Sequence, residues 1–153
     1  MRTVFGIGFA AAVFALAAGC GKKDGTGGDG GGTGLEGTWL LVGIESEGVK
    51  FDDVIAKGKE EDRTMKITGD KMTMTKDGKE DPGTYTVDKS KTPAHIDMTT
   101  KKGEKDQKIV GIYKIEGDTL TICGVESDKA EDRPKDFKSE KDSKVMIMTL
   151  KKK

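Results

Sequence analysis

The chain has 153 residues, 27 Lys and Arg against 27 Asp and Glu, and one histidine, for a formal net charge of zero. That length holds one domain beside an export signal, and the balanced charge removes the electrostatic case for nucleic-acid binding. Apart from Arg2, Arg63 and Arg133, every cation is a lysine set among acids, the pattern of a solvated face rather than of an anion-binding patch.

Arg2 gives a positive start, and residues 4–16 are apolar or small, without charge. A run of about 13 residues is too short to cross a bilayer, which takes ~20 helical residues. Ala17, Ala18 and Gly19 then lead to Cys20 and a polar stretch, the layout of a removable export signal with a small-residue cleavage site. The segment Ala17-Ala18-Gly19-Cys20 resembles the lipobox of bacterial lipoproteins, with Ala17 where that motif usually has leucine and Leu16 one place earlier. The resemblance implies a signal peptide at 1–19, acylation of Cys20, and a domain held by lipid at a membrane of the cell envelope, facing periplasm or exterior. Gly21 in place of an acidic residue favours an outer membrane where there is one. Simple secretion is the alternative. A lipid on Cys20 would leave Cys123 unpaired, and within Thr119-Leu120-Thr121-Ile122-Cys123 it reads as a small buried apolar residue of a strand.

Residues 20–34 form the expected tether. Eight glycines in 21–34 are separated only by Lys, Asp and Thr, and a flexible chain of that length reaches roughly 20 Å. No strand precedes these glycines as a phosphate-binding loop requires, and Asp24 and Asp29 lack the spacing of a calcium loop.

From Leu35 onward apolar residues recur every second position: Met65 and Ile67, Met72 and Met74, Tyr85 and Val87, Ala94, Ile96 and Met98, Leu120 and Ile122. Period two with one apolar face predicts antiparallel strands wet on one side. Segments 38–44 and 145–150 are apolar on both faces, so each is either covered twice or paired with the other. Gly69-Asp70, Asp77-Gly78 and a Gly117 turn predict tight hairpins, and Asp81-Pro82-Gly83 predicts another break. A two-residue Gly-Asp loop sets Ile67 opposite Met72 and Ile115 opposite Leu120. Residues 52–58 predict one short helical turn; 129–141 predict a long loop with Phe137 as its anchor. About eight strands in 35–153 make a small, all-β antiparallel meander barrel the expected fold.

Gly37-Thr38-Trp39 at the head of the first strand, followed by a meander, resembles the lipocalin and calycin barrels. In that family the tryptophan plugs the closed end, often under a basic residue of the last strand; Lys144 or Lys151 would fill that place here. A fuller series runs from Leu35-Glu36-Gly37-Thr38-Trp39 through Tyr85-Thr86-Val87-Asp88 and Pro93-Ala94-His95-Ile96-Asp97 to Gly111-Ile112-Tyr113. It continues to Gly117-Asp118-Thr119-Leu120-Thr121-Ile122-Cys123 and Arg133-Pro134 with Phe137. This series resembles a lipocalin-like domain found in planctomycete proteins, a resemblance that implies fold and lineage and brings no catalytic residues.

No nucleophile, base or metal set is visible. His95 stands between inward Ala94 and Ile96 and should face solvent, and one histidine without a nearby cysteine does not make a zinc site. Serines 46, 90, 127, 139 and 143 lie in polar stretches, and the acids at 52–53 and 60–62 read as solvated loops. The expectation is a protein without cofactor or enzymatic activity. Methionine lines adaptable cavities as well as ordinary cores. A small apolar ligand would therefore be lined by Trp39, Met65, Met72, Met74, Tyr85, Met98 and Tyr113. The alternative is an envelope domain that contacts a protein partner through a sheet edge or the 129–141 loop.

Overall fold

Alternating apolar and polar residues build strands that keep one face dry and the other wet. The computed structural model describes residues 34–153. The expected signal peptide, Cys20 and all of the tether before Gly34 lie outside the described residues. In chain order the strands are β1 (Gly37–Ser46), β2 (Val49–Lys50), β3 (Thr64–Thr68), β4 (Lys71–Lys76) and β5 (Lys79–Asp88). They continue with β6 (Ala94–Lys102), β7 (Lys105–Glu116), β8 (Thr119–Glu126) and β9 (Met146–Lys152). Helix α1 (Asp52–Ala56) and a 3₁₀ turn at Glu60–Arg63 separate β2 from β3.

All neighbouring strands pair antiparallel in the order β1-β3-β4-β5-β6-β7-β8-β9, and β9 returns to β1. Eight strands thus close a small meander barrel of lipocalin type, and β2 adds a ninth beside β1. Closure sets Trp39 against Lys152 at one end of the seam and Ser46 against Met146 at the other. The two doubly apolar segments therefore pair with one another. The Gly-Asp loops also fall as their spacing predicts: Ile67 faces Met72 and Ile115 faces Leu120. Gly69 and Gly117 adopt φ of 60° and 63°, the left-handed conformation that glycine enters without a Cβ penalty.

One expected break is absent. β5 runs straight through Asp81-Pro82-Gly83, with Pro82 opposite Thr73 of β4. Proline is tolerated there because β6 begins to pair with β5 only at Gly83, opposite Thr100. Pro82 thus has a strand on one side only, and its missing N–H costs no ladder bond on the other.

The core is drawn from residues between Leu35 and Leu150. Leu35, Trp39, Ile67, Ile96, Leu120, Ile122 and Leu150 are almost fully buried. All the strands that close the barrel lie within residues 37–152. A second, smaller cluster lies outside the barrel wall, where Ile112, Cys123 and Ile147 are covered by Phe137 and Val145. The covering segment, 127–145, is a strap from the end of β8 to the start of β9. It is clipped by Arg133, whose Nη1 donates to the carbonyls of Gly111 (2.6 Å) and Ile96 (3.2 Å). Its Nη2 pairs with Asp97 at 2.7 Å. Among the described residues no helix is long and apolar enough to cross a membrane.

Meander topology sorts the connections between two ends. Leu35, the turns at 69–70 and 117–118, the 89–93 loop and the end of β9 share one end. The turns at 47–48, 77–78 and 103–104, with both roots of the strap, share the other.

Candidate functional site: a methionine-walled cleft at the barrel mouth

The two ends are filled differently. At the first, Trp39 lies across the interior and its indole Nε1 donates to the Leu35 carbonyl at 2.7 Å. That bond satisfies the one polar group of a large buried ring. Lys152 Nζ stands 5.5 Å from the indole centroid on the neighbouring strand, within cation–π range. The cation over Trp39 is therefore Lys152, not Lys144 or Lys151. Register decides this: Lys152 is the residue directly paired with Trp39, whereas Lys151 pairs with Leu40. Lys144 is at the opposite end.

At the second end a cleft of about 480 Å³ opens between β6, β7, β8 and β9. Its walls are Met98, Ile109, Ile122, Met146 and Met148, and its rim carries Glu47, Gln107, Glu126 and Lys144. Gly124 also lines the cleft, and is directly opposed to Gly111 on the neighbouring strand. A Cβ on Gly124 would lie 2.8 Å from Ile109 Cγ2, and one on Gly111 would lie 2.6 Å from the Cys123 carbonyl. The strands are thus packed closely at this pair, and no larger residue fits at either position without moving them.

Of the seven residues expected to line a pocket, Met98 does so. Trp39, Met65, Met72, Tyr85 and Tyr113 are packed in the core, and Met74 is half-buried against it. They face inward as their period requires, yet they fill the barrel rather than line an opening. The Tyr85 hydroxyl donates to the Gly69 carbonyl at 2.7 Å, tying the β3–β4 turn to the wall. Burial raises the Tyr113 phenol above its usual pKa, and nearby Tyr85 adds to the shift. The walls beyond those seven residues are Ile109, Ile122, Met146 and Met148. Their signal was position along the strand: Met146 and Met148 start the last strand, opposite the plugged end.

The rim is held by the strap. Ser139, a buried polar residue, donates its hydroxyl to the Val145 carbonyl at 2.7 Å and lies 3.4 Å from the Gly48 amide. One side chain therefore links the β1–β2 turn, which carries Glu47, to the entry of β9, which carries Lys144. On the neighbouring strands, Gln107 of β7 donates to Glu126 of β8 at 2.7 Å.

The other candidates have structural explanations. Cys123 is buried under the strap with its Sγ 3.5 Å from the Asp136 carbonyl. Burial, and secondarily the Asp136 carboxylate, push its thiol up to about 11, which suppresses the thiolate at neutral pH. His95 is on the outer face as expected, but the strap half-covers it: it shares a shallow groove with Pro93, Arg133 and Pro134. Ser90 bonds Asp88, Ser127 bonds Asp132 and Ser143 bonds the Glu140 carbonyl. Asp62 accepts from the Gly78 amide, while Glu60 and Glu61 pair with Lys153 and Lys59. Among the described residues no group of three or more His, Cys, Asp or Glu is placed to hold a metal ion.

The chain matches no family model, and neither a curated protein nor a solved structure is detectably similar to it.

Proposed function

We propose that this protein is a non-catalytic binding barrel, held at a cell-envelope membrane through an acylated Cys20, that takes a small apolar ligand into its mouth. The observation that carries the reading is the open cleft of about 480 Å³ with three methionines and two isoleucines on its walls. Its size falls within the ~300–1,000 Å³ range of small-molecule sites. Eight strands enclose about enough room for one small ligand, and unbranched methionine side chains reshape to suit it. The Gly-x-Trp opening and the Arg133-Pro134 strap support a lipocalin-like lineage. Anchoring rests on the lipobox-like segment before Cys20.

Native mass spectrometry of residues 34–153, purified without detergent and then mixed with dodecyl-chain amphipaths, tests the binding reading. A one-to-one adduct lost on denaturation is expected. A bare protein with every probe would overturn it. A mass increase at Cys20 in the membrane fraction, abolished by Cys20→Ser, tests the anchor.

A second reading has its own observation. Val49, Phe51, Val54 and Met146 are large apolar side chains left exposed on β2, on the approach to α1, on α1 and at the mouth. Contact with a protein partner would cover them, and crosslinking in the envelope that captures such a partner at these residues would favour this reading.

A further inference from the structure

The rim of the cleft carries unspent charge of both signs. Gly124 of β8 pairs with Met146 of β9, and Met146 pairs with Ser46 of β1. In the sheet β9 lies between β8 and β1; Glu126 ends β8, Lys144 lies two residues before β9 and Glu47 follows β1, and all three line the cleft. The order around this side of the mouth is therefore acid, base, acid. Yet among the described residues neither Lys144 nor either glutamate makes an ion pair; Glu126 takes only the neutral bond from Gln107. Glu47 and Lys144 hold φ of 53° and 56°. For side chains other than Gly, Asn and Asp this left-handed backbone is uncommon.

Given the apolar-ligand reading, on which this inference rests, we infer that the ligand bears a zwitterionic head, its cation on the glutamates and its anion on Lys144. An apolar tail filling the Met98, Ile109, Ile122, Met146 and Met148 walls places its head at this rim. A simple anion there meets two carboxylates for one ammonium. A simple cation meets Lys144 between its two partners. An uncharged head leaves all three exposed charges unpaired and gains nothing from them. A dipolar head answers both signs together.

The test uses one chain length and four heads on residues 34–153: dodecylphosphocholine, dodecanoate, dodecyltrimethylammonium and dodecyl maltoside, each below its micellar concentration, with affinity read by calorimetry. The phosphocholine should bind about five-fold or more tighter than dodecanoate, the scale of one or two solvent-exposed ion pairs. Lys144→Gln should weaken the phosphocholine and strengthen the trimethylammonium, an inversion that a general loosening of the mouth would not produce. Glu47→Gln should narrow the gap to dodecanoate. Dodecyl-N,N-dimethylglycine, in which a carboxylate replaces the phosphate, separates a phospholipid-like head from a betaine- or amino-acid-like one. Equal binding of all heads, or preference for dodecanoate, overturns the inference and leaves the apolar-ligand reading intact. Binding of none overturns both.

Discussion

The plugged end and the mouth of this barrel are made by the same eight strands with the same alternation, and they differ in what fills the inward positions. At the plug the inward set is Trp39, Leu35, Ile67, Leu120 and Leu150, all within 1% of full burial. At the mouth it is Met146, Met148, Ile109 and Gly124, and Met146 keeps 45% of its surface exposed. Branched and aromatic side chains with few rotamers pack to crystal-like density. The half-exposed Met146 at the rim leaves room that they do not. Stability and accommodation are thereby assigned to opposite ends of one sheet.

Substitutions at three positions test that division, in order of expected effect. Trp39→Ala removes the plug, its bond to Leu35 and the seat of Lys152. It should cost ~3–5 kcal/mol in urea unfolding, enough to unfold a marginal domain. Arg133→Ala frees the strap, and with it the segment that carries Lys144 and Met146. The lost carbonyl bonds should cost ~2–3 kcal/mol, the half-exposed Asp97 adding little of this. Arg133→Lys should recover only part, since an ammonium lacks the planar fork that reaches two carbonyls and a carboxylate at once. Met146→Ala should change stability by less than ~1 kcal/mol while weakening any dodecyl probe several-fold. Equal destabilisation by Trp39→Ala and Met146→Ala would break the comparison. Strap loosening without loss of probe binding would show that the mouth needs no frame.

Much of the fold was legible because period two and tight-turn chemistry are local. Ile67 opposite Met72 follows from a two-residue loop, and the pairing of β1 with β9 was one of two readings of their doubly apolar faces. Pro82 misled because a break and an edge position look alike until the neighbouring strand's length is known. The site was legible only in kind. Alternation tells which side of the wall a residue is on. It does not tell how far along the barrel that residue sits, which depends on strand tilt and stagger around a closed sheet. Met65, Met72, Tyr85 and Tyr113 were therefore recognisable as inward and not as core filling, whereas the place of Trp39 at the closed end followed from the Gly-x-Trp resemblance alone. Lys152 was passed over for the same reason: its place above the indole is a matter of register. The strap's grip through Arg133 joins residues 22 and 37 positions apart, and nothing in the local pattern announces it.

The seam also has a mechanical consequence. β1 begins where β9 ends, with Trp39 beside Lys152, and the two strands run antiparallel. A pull applied between residue 34 and residue 153 would therefore load the seam one ladder pair at a time, peeling it like a zipper, rather than shearing all its bonds together. The first teeth of that zipper are the plug itself. A load entering at residue 34 would meet the most tightly packed part of the barrel before it reached the cleft.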